Sequence, residues 1–356
     1  MRYKLFGKSG LRVSELCLGT MTFGEEWGYS ASKEACRQIF DAFLEAGGNF
    51  IDTANLYTNG TSERYLGEFV HAEREHLVLA TKYTMAPPGR DPNAAGTQRK
   101  NLVQSLEASL KRLGTDYLDV YFVHIWDFFT PIEEVMQALF DVVHAGKVLY
   151  VASPIPPPGL SPAPIRSRSC VDGPPSRGLR WNIAALSEAL NGSCCPWRVR
   201  SIWPSPSGRP CLASGVLTGK YNQGQGGGRA GLAQPSERDL AIAAEVVKLA
   251  RARGCAPSQV ALSWVRQQQG VTIPILGART VAQVEENLQC LQVTLTGEEL
   301  GQLDALSQID LGYPHTYLQP QDPRNMAYGG LFDQIDAHRG YPEPLQAREV
   351  PSQKPT

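Results

Sequence analysis

One rhythm constrains this chain more than any other feature: short apolar runs alternate with amphipathic helical patterns. Glu15 to Gly19 reads as a strand, and Ser32 to Ala46 as a helix with Ser32 as N-cap and Gly47-Gly48 at its end. Asn49 to Ala54, Leu77 to Lys82, Leu118 to His124 and Val148 to Ala152 read as further strands. Between them Ser62 to Val70, Thr97 to Leu113 and Pro131 to Ala145 read as helices. Gly114 closes the second, and the third has Pro131 at its first position and Gly146 at its end. Such an alternation requires a parallel sheet with helices laid over it.

The rhythm returns late in the chain. Glu237 to Arg253, Pro257 to Gln268, Val281 to Cys290 and Gly297 to Ser307 read as helices, and Val271 to Leu276 as a strand. Residues 340–356 read as a flexible tail. Between the halves the pattern collapses. Residues 153–211 hold 12 of the chain's 26 prolines, 4 of its 8 cysteines and seven arginines, but no lysine, phenylalanine or tyrosine. The run Pro154-Ile155-Pro156-Pro157-Pro158 cannot be a buried strand, because proline lacks the ladder donor.

Bulk properties exclude several classes. A net charge of -1 points away from nucleic-acid or membrane-surface partners. Met1 to Leu11 has no apolar secretory core, and no run approaches the ~18 apolar residues of a membrane span. The eight cysteines show no C-x-x-C and no metal spacing. They read as reduced thiols of a cytoplasmic protein, with no metal expected.

Four polar residues fall at or just past the strand ends: Asp52, Tyr57, Lys82 and His124. In a parallel barrel those ends share one rim, where active sites lie. Chemically they form a set. An ammonium beside a phenol favours its ionised form, and a carboxylate holds that ammonium charged and oriented. A histidine can hydrogen-bond a carbonyl, and the phenol can then protonate its oxygen as hydride arrives at carbon. Singly, each has a plainer reading: Asp52 as a helix cap, Lys82 as a solvated charge, His124 and Tyr57 as core packing.

With these residues in view, the chain resembles a known family. G-T-M-T-F-G (Gly19 to Gly24), F-I-D-T-A-N-L-Y (Phe50 to Tyr57), A-T-K (Ala80 to Lys82) and D-V-Y-F-V-H (Asp119 to His124) are similar to the aldo-keto reductases. The likeness is to their broad microbial and potassium-channel-β-like branch. The resemblance spans about residues 1–152 and 212–339. It implies an α/β fold, a (β/α)8 TIM barrel forming one domain over residues 1–339, with residues 1–13 as a hairpin capping its bottom. It also implies NADPH-dependent reduction of a small aldehyde or ketone, with Tyr57 as general acid, Lys82 and Asp52 as its tuners and His124 orienting the carbonyl.

The resemblance extends to NADP(H). L-A-S-G-V-L-T-G-K-Y (Leu212 to Tyr221) is similar to the family's loop over the pyrophosphate, which implies Leu212, Ala213, Ser214, Gly215, Leu217 and Lys220 as contacts. G-A-R-T-V-A-Q-V-E-E-N (Gly277 to Asn287) is similar to the adenosine-binding segment. There Gly277, Arg279, Gln283, Glu286 and Asn287 are implied, Arg279 as a fork onto a 2′-phosphate. Gly19, Thr20, Met21 and Asp52 complete the cofactor set, and Ser153 is the one candidate for the nicotinamide carboxamide. A flexible basic loop and an ordinary polar helix face are the plainer readings of the two segments. No G-x-G-x-x-G fingerprint follows a strand, which disfavours a Rossmann dehydrogenase. Trp27, Met21 and Trp126 are equally candidates for pocket lining and for packing.

The resemblance stops near Ala152 and resumes near Leu212, so the region of barrel strands five to seven is expected to be disrupted. Codons for Ser153 to Gly159, Trp181 to Ile183, Ser187 to Cys195 and Gly208 to Cys211 can be chosen so that the neighbouring frame reads peptides like the family's missing strands, in order. A frameshifted segment is the leading explanation. The alternatives to an active reductase are a non-catalytic NADP-binding regulatory subunit and an inactive product of the damaged frame.

Overall fold

The computed structural model describes residues 1–152 apart from 8, 29 and 88, residues 212–223, residues 235–307 apart from 269 and 270, and residues 331 and 334. The side chains of Ser214 and Gln223 lie outside that description, as do residues 340–356. The described residues up to Ser307 belong to one compact unit.

An N-terminal hairpin, β1 (Tyr3–Leu5) and β2 (Arg12–Ser14), pairs antiparallel. Then come β3 (Cys17–Gly19), α1 (Lys33–Glu45), β4 (Phe50–Asp52), α2 (Thr61–Val70), β5 (Val78–Tyr83), α3 (Arg99–Leu113), β6 (Leu118–Val123), α4 (Ile132–His144) and β7 (Val148–Ala152). After Leu212 follow α5 (Glu237–Arg253), α6 (Pro257–Arg266), β8 (Ile275–Gly277), α7 (Val281–Leu288) and α8 (Gly297–Leu306).

β3 to β8 form one parallel sheet in the order β7-β6-β5-β4-β3-β8. Each strand from β4 to β7 lies beside its predecessor, and β8 returns to pair with β3, Cys17 opposite Ile275 and Gly19 opposite Gly277. That return is how a parallel sheet closes into a barrel. The expectation of disruption from strand five onward needs correction. The fifth strand is formed: Val148 pairs with Leu118 and Ala152 with Phe122. Its apolar, β-branched content suits a strand buried between layers. Residues 153–211, where a sixth and seventh strand would fall, lie outside the described residues.

The period-two alternation of strand side chains decides what faces where. Ile51, Leu79 and Tyr121 join the large core shared with α1 to α4. Phe50, Val78, Ala80 and Val120 join an inner cluster with Phe6 and Val13 of the hairpin, which plugs one end. Asp52, Lys82 and His124 continue that inner series two residues at a time to the opposite, C-terminal end.

Register is pinned below the site by a buried ion pair. Arg74 reaches from the end of α2 to Asp119 at 2.7 Å and donates to the Tyr117 carbonyl at 2.8 Å. Its guanidinium stacks 3.9 Å from the Tyr117 ring centroid. Asp119 also accepts the Leu79 N–H at 2.9 Å, tying β5 to β6. Local signals set the helix ends: Ser236 and Asp239 form a capping box on α5, and Gly114 and Gly254 take left-handed conformations past α3 and α5. Pro131 is the N-cap of α4 rather than its first helical residue.

Removing the guanidinium leaves the Asp119 carboxylate buried beside β5 without its counter-charge. Arg74→Met is expected to lower the unfolding free energy by about 3 kcal/mol, read from the denaturant midpoint. A midpoint unchanged from the wild type would show that the pair does not hold the strands.

Candidate active site

Each element end brings one group to the rim. β4 ends in Asp52, and the chain then turns through Ala54 to a 3₁₀ turn at Tyr57–Gly60. This loop is stitched to β5 by Thr53 N–H on the Ala80 carbonyl at 2.9 Å and Asn55 N–H on the Lys82 carbonyl at 3.1 Å. Lys82, near the end of β5, sends its ammonium into the junction. It donates to Asp52 Oδ2 at 2.6 Å, to the Thr53 carbonyl at 2.8 Å and to Tyr57 Oη at 3.2 Å. An ammonium has three protons, and here each has an acceptor.

His124 follows β6. Its backbone N–H donates to Thr84 Oγ1 at 3.1 Å and to the Tyr83 carbonyl at 3.2 Å. Its ring stands edge-on to Tyr57 with centroids 6.1 Å apart, and Trp27 packs edge-on against the other partner's ring at 6.4 Å. His124 Nδ1 is buried and has no hydrogen-bond partner among the described residues.

The electrostatics follow from burial and pairing. Burial alone would lower the Lys82 pKa, but Asp52 and Tyr57 reverse this and hold it above its ordinary value. Burial pushes Asp52 up, and the Lys82 charge opposes it without cancelling it. Burial, reinforced by the Lys82 charge, pulls His124 down to about 3. The imidazole is therefore neutral at physiological pH and can donate or accept a hydrogen bond without carrying charge.

The residues implied for a cofactor fall into three groups. On the first, Thr20 is fully buried, and its hydroxyl donates to the Asp52 carbonyl at 3.1 Å and shares a hydrogen bond with Ser62. Gly19 packs against β8, where an added Cβ would stand 2.5 Å from Ile275; Met21 is half-buried beside it. In the second, Leu212 precedes a 3₁₀ helix, Ala213–Thr218. Ala213 and Leu217 are buried there, and the Lys220 ammonium lies where a Cβ on Gly215 would come within 2.9 Å. In the third, Arg279 is exposed and makes no ion pair among the described residues, while its N–H donates to Gln283 Oε1 at 2.8 Å. Gln283 and Glu286 are exposed on α7 and Asn287 is buried. Glu286 also accepts from Ser258 at 2.6 Å. Gly277 ends β8. Ser153 lies outside the described residues.

Lys220 and Arg279 make no ion pair among the described residues, and two such cations, one beside a side-chain-free backbone position, suit a polyphosphate with a further phosphate at its far end. The donor set thus fits the phosphate end of NADP(H). Thr53 contributes to the site through its carbonyl, which no side-chain motif reveals.

A rim that grips a phenol beside a fixed ammonium is what a barrel oxidoreductase needs to move a proton at a carbonyl oxygen, and the comparisons with known proteins agree on that class. The chain belongs to the aldo/keto reductase family, whose model matches residues 15–153 and 208–308. It is 36% identical over 340 residues to a norsolorinic acid reductase of Emericella nidulans, covering 87% of this chain and 82% of the relative. It is 34% identical over 369 residues to norsolorinic acid reductase B of Aspergillus parasiticus, covering 96% and 91%. An aryl-alcohol dehydrogenase of Pestalotiopsis microspora is 31% identical over 369 residues, covering 94% and 91%. The family match breaks between residues 153 and 208, within the segment whose composition changes. No helix among the described residues is long and apolar enough to cross a membrane.

The depressed His124 pKa has a signed consequence. An unfolded chain takes up a proton near 6.5, whereas the folded one resists until about 3. Acidification through that window therefore favours unfolding, by up to about 1.4 kcal/mol per pH unit. His124→Asn is expected to lose less stability than the wild type between pH 7 and 4.5, measured by urea midpoints. NMR of the wild type should show an imidazole, absent in His124→Asn, that does not titrate between pH 5 and 8; a midpoint near 6.5 would sink the assignment.

Proposed function

We propose that the chain reduces the carbonyl of a small aldehyde or ketone to the alcohol, reversibly, with NADPH as cofactor in the cytoplasm. The observation that carries this is the Lys82 ammonium shared among Asp52, Thr53 and Tyr57. NADPH, when bound, supplies the hydride. Lys220, beside Gly215, and Arg279 would hold its phosphates, with Gln283, Glu286 and Asn287 toward the adenosine.

The chain's own residues do the rest. The neutral His124 ring holds the carbonyl oxygen by a hydrogen bond and fixes its orientation. Tyr57 donates its phenolic proton to that oxygen, and the Lys82 ammonium stabilises the negative charge left behind. Asp52 keeps the ammonium in place and balances its charge in a dry site. In the reverse direction the same phenol oxygen takes the proton from the alcohol. The names of the relatives, an aryl-alcohol dehydrogenase and norsolorinic acid reductases, support an aryl carbonyl as the substrate class to try first. The half-buried Trp27 against Tyr57 suits such a ring.

Tyr57→Phe removes the proton and keeps the shape. It is expected to lower turnover of an aryl aldehyde by at least about 10²-fold, while NADPH binding, followed by its fluorescence, persists. Turnover surviving in Tyr57→Phe would overturn the role. Binding without turnover in the wild type would instead favour a non-catalytic NADP-binding subunit.

A second reading rests on the break in the family match between residues 153 and 208. We infer that this segment is translated out of register, flanked by compensating insertions or deletions near residues 152 and 211. The coding DNA across residues 150–215 decides. A neighbouring frame free of stops and encoding apolar, strand-like peptides is expected; stops in that frame would end the idea.

A further inference from the structure

Beneath the proton-transfer cluster lies a layer of hydroxyls that the reaction does not use. Thr20, Thr53, Thr58 and Ser62 are all fully buried. The Ser62 hydroxyl lies 2.8 Å from that of Thr20 and 3.0 Å from that of Thr53. It also donates to the Thr20 carbonyl at 2.8 Å. Thr20 donates to the Asp52 carbonyl at 3.1 Å. Ser62 N–H donates to Thr58 Oγ1 at 3.1 Å, and Thr58 Oγ1 donates to the Phe23 carbonyl at 2.5 Å. The layer thus reaches the site at three points: Thr20 bonds the Asp52 carbonyl, Thr53, whose own carbonyl holds Lys82, meets Ser62 through its hydroxyl, and Thr58, the neighbour of Tyr57, accepts the Ser62 N–H.

Thr58 is where the layer meets the proton donor, and its backbone is strained. It has φ of +45°, and Asn59 and Gly60 follow at +53° and +85°. A β-branched residue with positive φ is a genuine outlier. Glycine or asparagine would take this turn at lower cost, so the threonine is held there by its surroundings. Gly24 makes the fit possible, since a Cβ there would stand 2.7 Å from Thr58 Oγ1. The bend separates two tasks within two residues. Tyr57 is left facing Lys82, while Thr58 is pulled under the Phe23 carbonyl.

We propose that this hydroxyl layer, keyed by Thr58, is the positioning device that sets Tyr57 Oη on the Lys82 ammonium. Thr58 acts through Tyr57 and is a positioning residue. Thr20, which the family resemblance places toward the cofactor, has its hydroxyl committed to the same layer. The kinetic consequence rests on the proposed reductase reading; the geometric one does not.

The test uses the full chain with ring-labelled tyrosine, the Tyr57 resonance being identified by its loss in Tyr57→Phe. Thr58→Val keeps the shape and removes both hydroxyl bonds; Thr58→Ser keeps the hydroxyl. In Thr58→Val the Tyr57 titration midpoint is expected to rise by about half a unit or more, because the phenolate drifts from its ammonium. Its kcat for an aryl aldehyde is expected to fall about tenfold with KM within about twofold. Thr58→Ser should restore both. An unmoved midpoint and unchanged kcat in Thr58→Val would overturn the proposal. Should Thr58→Val not fold, Ser62→Ala must show the same rise in midpoint, and its failure to do so would equally overturn it. A wild type without turnover would defeat the proposed function, and the NMR arm would still decide the role of Thr58.

Discussion

A buried ammonium is the constraint on which the rest of the site depends. Taking Lys82 out of water costs several kcal/mol unless the lost hydration is replaced. Replacement demands three acceptors in fixed directions, and the chain supplies a carboxylate, a backbone carbonyl and a phenol. Those acceptors lie 25 to 30 residues away in sequence, so the register of β4 against β5 must be right to within one residue. A slip by one would turn Lys82 outward into the helix layer, where Thr81 and Tyr83 now sit. Arg74 and Asp119 secure the next register, β5 against β6, from the opposite end of the sheet. The chemistry at the top of the sheet is thereby tied to an ion pair at its bottom.

The same ammonium sets the state of its neighbours. Its charge and the dry surroundings keep His124 neutral, so the histidine can bind a carbonyl without competing as an acid. In the proposed reaction Tyr57 is then the group left to give a proton. One buried cation thus acts on both groups, on the phenol by a hydrogen bond and on the imidazole through its charge.

Much of this was legible in the sequence, for identifiable reasons. α5 begins and ends where its Ser236 cap and Gly254 require, because capping is a local interaction readable from a few residues. The inner series Asp52, Lys82 and His124 was legible because strand alternation is strictly periodic. The fifth strand forms at Val148–Ala152, where its apolar run was read, and pairs with β6 up to the edge of the proline-rich stretch. β8 is shorter than its apolar run, Ile275–Gly277 rather than Val271 to Leu276, since only three residues meet β3. The left-handed bend at Thr58 was invisible, because threonine ordinarily avoids it and tertiary contacts impose it. Thr20 read as a cofactor contact because a motif does not say whether a hydroxyl points to a ligand or to its own scaffold.

The proton half and the hydride half of the chemistry are carried by different arcs of the sheet. Asp52, Tyr57, Lys82 and His124, with Thr20, Thr53, Thr58 and Ser62 beneath them, all come from β3 to β6, the loops that follow and the first turn of α2. These elements pack around one core with α1 to α4, and every hydrogen bond that orients Lys82 lies within residues 52–82. The segment that carries Lys220 packs through Ala213, Val216 and Leu217 on a second core built on α5, α6 and α8, and the family match is broken between the two arcs. A change confined to residues 153–211 lies outside the segments that carry the phenol and its ammonium. The proposed hydride transfer is the step most sensitive to placement, because a misfit of about 1 Å already costs about a hundredfold in rate. The cluster assembled around Lys82 is thus a mark of the family that stands independently of whether the proposed hydride step occurs.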